Sequence, residues 1–135
     1  MPELAALRDD RGSSVVEFAL ISVLLVFLLF AVLQVAAVFY VRSVVSAAAS
    51  DGARYAANAS VDPAAGGSRA STLIGRGLGT GMARRLPCAG GQLIDPASGL
   101  VTAEVRCQGR IRSVFVPVGA LVNIKVSGQS LKDTP

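Results

Sequence analysis

Residues 12–41 read GSSVVEFALISVLLVFLLFAVLQVAAVFYV, and the rest of the chain is organised around this stretch. Residues 15–41 make up 27 positions, of which only Glu17, Ser22 and Gln34 are not apolar. A helix of that length is roughly 40 Å long, which is enough to cross a hydrocarbon core of about 30 Å with some tilt. The run is too long for the apolar region of a signal peptide, which spans about 7–15 residues. The stretch therefore predicts one membrane-spanning helix.

Glu17 places a carboxylate at the third position of the apolar run. A charge inside lipid is costly, so this residue needs a partner or a purpose. One interpretation is structural: Ser13 or Ser14 caps a helix that begins near Val15, and Glu17, three residues after Ser14, completes a capping box. The other interpretation is a role in contacts between subunits, which depends on a family resemblance.

The residues around Glu17 resemble the processing site of type IV pilin-like proteins. In that family a dedicated peptidase cuts after a glycine on the cytoplasmic side of the apolar helix, and a glutamate is fifth in the mature chain. Here a cut after Gly12 makes Ser13 the first residue and Glu17 the fifth. The sequences RGSSVVEFAL at 11–20 and AAASDGARYAA at 47–57 are similar to the TadE-like branch. This branch comprises minor pilins or pseudopilins of tight-adherence (Flp-type) pilus systems.

The resemblance implies a topology and a set of partners. Residues 1–12 would be a leader in the cytoplasm, and the chain would cross the inner membrane once, with the C-terminal domain outside or in a pilus. The implied partners are prepilin peptidase, other pilins or pseudopilins, the membrane assembly platform and the lipid bilayer. Glu17 and Phe18 would serve in subunit docking, with Glu17 paired to the N-terminal amine of a neighbouring subunit.

The helix is predicted to continue beyond the membrane, so that residues 13–60 form one helix with its span at 15–41 and an extramembrane half at 42–60. Small residues three or four positions apart would let another backbone approach closely. They are Ser43, Ser46, Ala47, Ser50, Ala53 and Ala57. The surface they form fits packing against another subunit and packing against the protein's own C-terminal domain equally well.

Residues 61–135 are predicted to form a small extracytoplasmic domain. Residues 61–67 are typical of a turn or linker, and 68–86 combine helical spacing with so many glycines that a loop or frayed helix is expected. The glycine run there matches no nucleotide-binding motif. Period-two alternation then predicts an antiparallel sheet at about 92–128 with one buried face and a loose tail from Leu131. The predicted strands include 101–107, 111–116 and 121–127, and the fold class is therefore α+β.

Cys88 and Cys107 both follow the apolar run. If this part lies outside the cytoplasm, a single disulfide is the natural interpretation, whereas a cytosolic domain would hold two reduced, buried thiols. The sequence has no histidine, and two cysteines alone do not build a zinc site, so no metal or cofactor is expected.

Composition bears on the function class. No set of nucleophile, base and acid is apparent, so an enzyme is not expected. The net charge of +4 fits contact with anionic envelope polymers or lipid headgroups and also fits mere solubility, while basic and aromatic residues do not interleave as in nucleic-acid-binding proteins. Two alternatives to the Flp-type assignment remain. One is a minor pseudopilin of a type II secretion or DNA-uptake system, and the other is an uncleaved single-pass anchor with an extracellular binding module.

Overall fold

A computed structural model describes residues 11–112 and 121–133, together with their side chains except at 11–13, 112 and 121. The elements are α1 (Arg11–Ala57), α2 (Ala65–Leu78), α3 (Thr80–Arg85), β1 (Cys88–Ile94), β2 (Val101–Arg112) and β3 (Leu121–Leu131). The strands form an antiparallel sheet in the order β1-β2-β3. The predicted α+β fold, a long N-terminal helix followed by a small antiparallel sheet, is confirmed.

Helix α1 has two halves that differ in what covers them. With 47 residues it is about 70 Å long. Between residues 14 and 40 no side chain is buried, although almost all are apolar. From Val45 onward, buried residues recur every three or four positions, which puts them on one face of the helix. We call residues 14–41 the membrane half and residues 42–57 the domain half.

The core of the domain lies between the domain half of α1, helix α2 and one face of the sheet. Its largest fully buried side chains are Val45, Ile74, Leu86, Val105 and Cys107. Small residues of α1 complete the core and let α2 and the sheet approach the helix closely. The core is thus built on the outer end of the same helix that carries the apolar run.

Residues 61–86 are more helical than the sequence predicts. The segment assigned to a turn or linker ends early, because α2 already begins at Ala65, and α2 then continues to Leu78. Gly79 separates α2 from α3 with a φ of 88°, a left-handed conformation that suits glycine. The glycines that argued against a helix are therefore accommodated in two short helices.

The sheet confirms the predicted alternation but extends further than expected. β1 begins at Cys88 instead of Gln92, β2 runs without interruption to Arg112, and β3 continues to Leu131. The described part of the predicted strand 111–116 is the end of β2, and residues 113–116 lie outside the described residues. Along β2, Ala103, Val105 and Cys107 are buried, as one covered face requires.

Asp95 and Gly99 close the turn between β1 and β2. The Gly99 amide donates to the Asp95 carbonyl at 2.8 Å, and Gly99 has a φ of 69°. The Ser98 hydroxyl and the Ala97 amide both donate to the Asp95 carboxylate, and these bonds hold the pKa of Asp95 below its ordinary value. A lowered folded-state pKa means that this stabilisation is present at neutral pH and is lost as the pH falls through that pKa.

The prediction of a loose tail from Leu131 is wrong for its described part. Leu131 belongs to β3, the Lys132 amide donates to the Val101 carbonyl at 2.9 Å, and the Asp133 amide donates to the Ala57 carbonyl at 2.9 Å. These bonds tie the end of β3 to the sheet and to the end of α1. Residues 134 and 135 lie outside the described residues.

Candidate functional site

The membrane half of α1 exposes large apolar side chains along its whole length. Phe18 is 73% exposed, Phe27 70% and Phe39 66%. Within the described residues, α1 is the one helix long and apolar enough to cross a membrane, and none of its most apolar window is buried in the protein. The helix therefore has the properties of a single-pass membrane anchor, since lipid would cover the side chains that the domain leaves bare.

Glu17 lies on this exposed surface, about 40 Å along the helix from Val45, where the core begins. The helix already includes Arg11, so Ser14 lies inside α1 and cannot be an N-cap. The predicted helix start near Val15, with its capping box, is therefore wrong. The Glu17 side chain makes no hydrogen bond or ion pair with any part of the chain that the structure describes.

Gly12 and Ser13 lie in the first described turn of α1. The side chain of Ser13 is not among those described, and the role of Gly12 and Ser13 as a processing site remains a prediction.

The predicted stripe of small residues on α1 divides between two surfaces. Ala53 and Ala57 are buried against the protein's own domain, whereas Ser43, Ser46 and Ala47 are exposed. Packing against the protein's own domain is confirmed for Ala53 and Ala57, and packing of the exposed residues against another subunit stays a prediction. One face holds the domain, and the other remains exposed.

Cys88 and Cys107 form a disulfide, as predicted, and the bond joins β1 to β2. They are direct partners in the β1–β2 register. The Gln108 amide donates to the Pro87 carbonyl at 3.2 Å, which makes the two cysteines a non-hydrogen-bonded pair, the type whose side chains lie closer together. Since Cys107 is fully buried in the core, the bond fixes the beginning of β1 onto the centre of the domain.

Breaking this disulfide is expected to destabilise the domain by about 3 kcal/mol in the chain-entropy model, because it releases a short closed loop in the unfolded state. Chemical denaturation of the full chain in detergent, with and without reductant, measures the difference. A Cys88→Ala/Cys107→Ala variant should match the reduced protein and should not respond to reductant. Equal stability of the oxidised and reduced wild-type protein would contradict the prediction.

The structure does not gather the predicted site residues into one place. Glu17 and Phe18 lie near one end of α1, and the disulfide lies in the domain at the other end. The described residues hold no cluster of three or more metal-ligating side chains. Sequence reasoning missed one feature, a groove that places Arg42 of α1 beside Lys125 of β3. Its only sequence signal was a cation directly after the apolar run.

Comparison with known protein families gives a match over most of α1. The model of the family described as TadE-like protein matches residues 12–54. The match begins at the glycine predicted to precede the processing site, and it covers the membrane half of α1 and most of the domain half. No curated protein and no solved structure matches the chain. Residues 12–54 are therefore TadE-like, as the resemblance of the N-terminal segment predicted.

Proposed function

We propose that this chain is a minor pilin or pseudopilin that acts in the assembly of a tight-adherence pilus. The observation that carries the proposal is the organisation of α1. Its TadE-like segment combines a bare apolar half, which bears Glu17 five residues after Gly12, with a half that holds a small domain. Such a helix can pack against other helices in the membrane and present its domain outside. The proposed work is protein–protein packing, without catalysis.

The proposed topology puts the N-terminus in the cytoplasm and the domain outside the inner membrane. The disulfide supports this orientation, because disulfides persist in oxidising compartments and are rare in the cytosol. In this arrangement prepilin peptidase meets the Gly12–Ser13 bond on the cytoplasmic side. Other pilins and the assembly platform would then contact the membrane half of α1.

Processing provides the direct test. Mass spectrometry of the protein from its native host should give Ser13 as the N-terminal residue. Gly12→Leu should block processing, because a residue with a large side chain prevents the close backbone approach that glycine permits. Ser14→Leu is the matched control, since it adds the same side chain two positions later and should leave cleavage intact. A mature chain that still carries residues 1–12 would overturn the pilin-type proposal.

That unprocessed outcome would favour the uncleaved anchor with an extracellular binding module. A minor pseudopilin of a type II secretion or DNA-uptake system would be processed in the same way, so cleavage does not distinguish it from the main proposal. Deletion of the gene distinguishes these two. A tight-adherence component should reduce pilus yield, whereas a secretion or uptake component should reduce export of a substrate or DNA uptake.

A further inference from the structure

A groove lies between α1 and the edge strand β3, immediately beyond the apolar run. The volume of the groove is about 500 Å³. Its main lining residues are Phe39, Arg42, Ser43 and Ser46 from α1, and Lys125 and Ser127 from β3. Aromatic, cationic and hydroxyl side chains therefore meet in one open cleft.

Among the described residues, the charged side chains that line this groove are all positive. Arg42 and Lys125 are exposed, both also line a second groove beside the first, and neither lining includes an acidic residue. The ion pairs recorded among the described residues are made by Arg69 and Arg106, so Arg42 and Lys125 have no described carboxylate partner. Cations accompanied by hydroxyl donors form a favourable environment for a phosphate group.

The height of the groove along α1 matches the headgroup region of a bilayer. Arg42 directly follows the last residue of the apolar run. Phe39 and Tyr40 are 66% and 60% exposed, and aromatic residues in this position are typical of the membrane–water interface. A lipid whose headgroup entered the groove could lay its acyl chains along the apolar side chains below.

We propose that the groove binds the headgroup of an anionic phospholipid from the leaflet where α1 leaves the membrane. Arg42 and Lys125 neutralise the phosphate, and the serine hydroxyls donate to phosphate or glycerol oxygens. An anionic lipid is favoured over a zwitterionic one because the described lining of the groove offers no carboxylate for an ammonium headgroup. Bound lipid would hold β3 against the bilayer surface. The proposal rests on membrane anchoring by α1 and is independent of the pilus function.

Native mass spectrometry of the full-length protein, with equimolar phosphatidylglycerol and phosphatidylcholine, tests the site. The wild-type protein should retain phosphatidylglycerol preferentially, and Arg42→Gln/Lys125→Gln should lower that retention by roughly tenfold or more, given the usual contribution of each cation near an anionic surface. Arg84→Gln/Arg85→Gln is the control, since it removes the same charge from α3, outside the groove. Arg42→Lys/Lys125→Arg keeps both charges and should retain the lipid.

Three results would overturn the proposal. The first is equal retention of the two lipids by the wild-type protein, and the second is equal loss of phosphatidylglycerol in the two glutamine variants, which would indicate a general charge effect. The third is a dimer that dissociates in Arg42→Gln/Lys125→Gln while lipid retention is unchanged, which would assign the groove to a second copy. Because a variant could be misfolded, salt titration of the wild-type protein provides a separate measure. Phosphatidylglycerol retention should fall as salt rises, and salt-independent retention would also count against the site.

Discussion

Glu17→Gln is expected to abolish pilus formation while processing, membrane insertion and protein level remain near wild type. The proposed docking partner of Glu17 is the ammonium group of Ser13 on an adjacent chain, which requires a negative charge. Glutamine preserves the size and the hydrogen-bonding capacity of the side chain and removes only the charge. N-terminal mass, membrane abundance and pilus yield, followed in one strain series, measure the three properties separately.

The structure gives a physical reason to look for a partner of Glu17 outside the chain. A carboxylate in a membrane segment costs about 2.5–3.5 kcal/mol at mid-membrane on insertion scales and less near the interface. In the unprocessed chain Ser14 lies within α1, so no capping box uses Glu17 locally there. The described residues supply no hydrogen bond or ion pair to offset the cost. An intermolecular ion pair would offset it.

Glu104→Gln is the matched control for Glu17→Gln. Glu104 lies in the domain, is 8% exposed and pairs with Arg106 at 2.7 Å, so the same substitution there removes a carboxylate far from the membrane half. It should leave piliation intact, because glutamine keeps an oxygen that can accept a hydrogen bond from Gln129 or Arg106, and Arg106 is exposed enough to be solvated by water. Normal piliation with Glu17→Gln would show that the charge is not used for docking. A collapse in membrane abundance would instead assign Glu17 a structural role.

The sequence predicted α1 well because the relevant signals are local. The 27-residue apolar run and the glycine before it are contiguous, and neither depends on how the rest of the chain folds. The predicted end of the helix, at residue 60, was also close to the observed one, because α1 ends at Ala57, shortly before the turn at Pro63. The start of the helix was predicted wrongly. Ser14 matches the sequence pattern of an N-cap, but α1 already includes Arg11.

The glycine-rich segment shows where local propensity fails. Glycine disfavours a helix by about 1 kcal/mol relative to alanine, and on that ground residues 68–86 were expected to be a loop or frayed helix. In the structure a Cβ added to Gly77 of this segment would lie 3.0 Å from Val44 of α1, and Gly66, just before the segment, lies against the backbone of α1 at Gly52. The missing side chains therefore allow a close helix crossing. Tertiary packing, which a propensity scale does not contain, supports α2 in spite of its composition.

The same contrast between local signals and tertiary packing applies to the candidate sites. The disulfide could be predicted because the described domain offers only one pair of cysteines, Cys88 and Cys107. The groove could not be predicted, because Arg42 and Lys125 lie far apart in the chain and come together only when β3 packs on α1. The alternation of apolar and polar residues along 121–127 puts Lys125 on the polar face of its strand, but it does not indicate which helix residue lies beside Lys125.

Gly128→Ala is expected to destabilise the domain by about 3 kcal/mol or more, at the upper end of the usual cost of overpacking. A Cβ at this position of β3 would lie 2.5 Å from the carbonyl carbon and oxygen of Ala49 and 2.6 Å from the Ser50 nitrogen. All three atoms belong to the backbone of α1, so no side chain can rotate away to make room. The strand and the helix would have to separate.

Moving β3 away from α1 would also disturb the packing of the core, because Ala49 is fully buried at the contact between the two elements. A small domain has a total stability of about 5–15 kcal/mol, and the loss would remove a large share of it. Thermal unfolding of the full chain in detergent should show a Tm lowered by roughly 10 °C or more. Because the groove that holds Arg42 and Lys125 lies between the same two elements, Gly128→Ala should also weaken retention of anionic lipid.

Gly91→Ala is the matched control for Gly128→Ala, because it makes the same change in β1, where an added Cβ would have no neighbour within 4 Å. Alanine is favoured over glycine in a strand interior by roughly 0.5–1 kcal/mol, so this variant should be as stable as the wild-type protein or slightly more stable. The opposite signs of the two changes separate the steric contact from any general effect of replacing a strand glycine. If Gly128→Ala unfolds at the same temperature as Gly91→Ala, the backbone of α1 does not pack directly on β3, and the close helix–sheet contact described here is wrong.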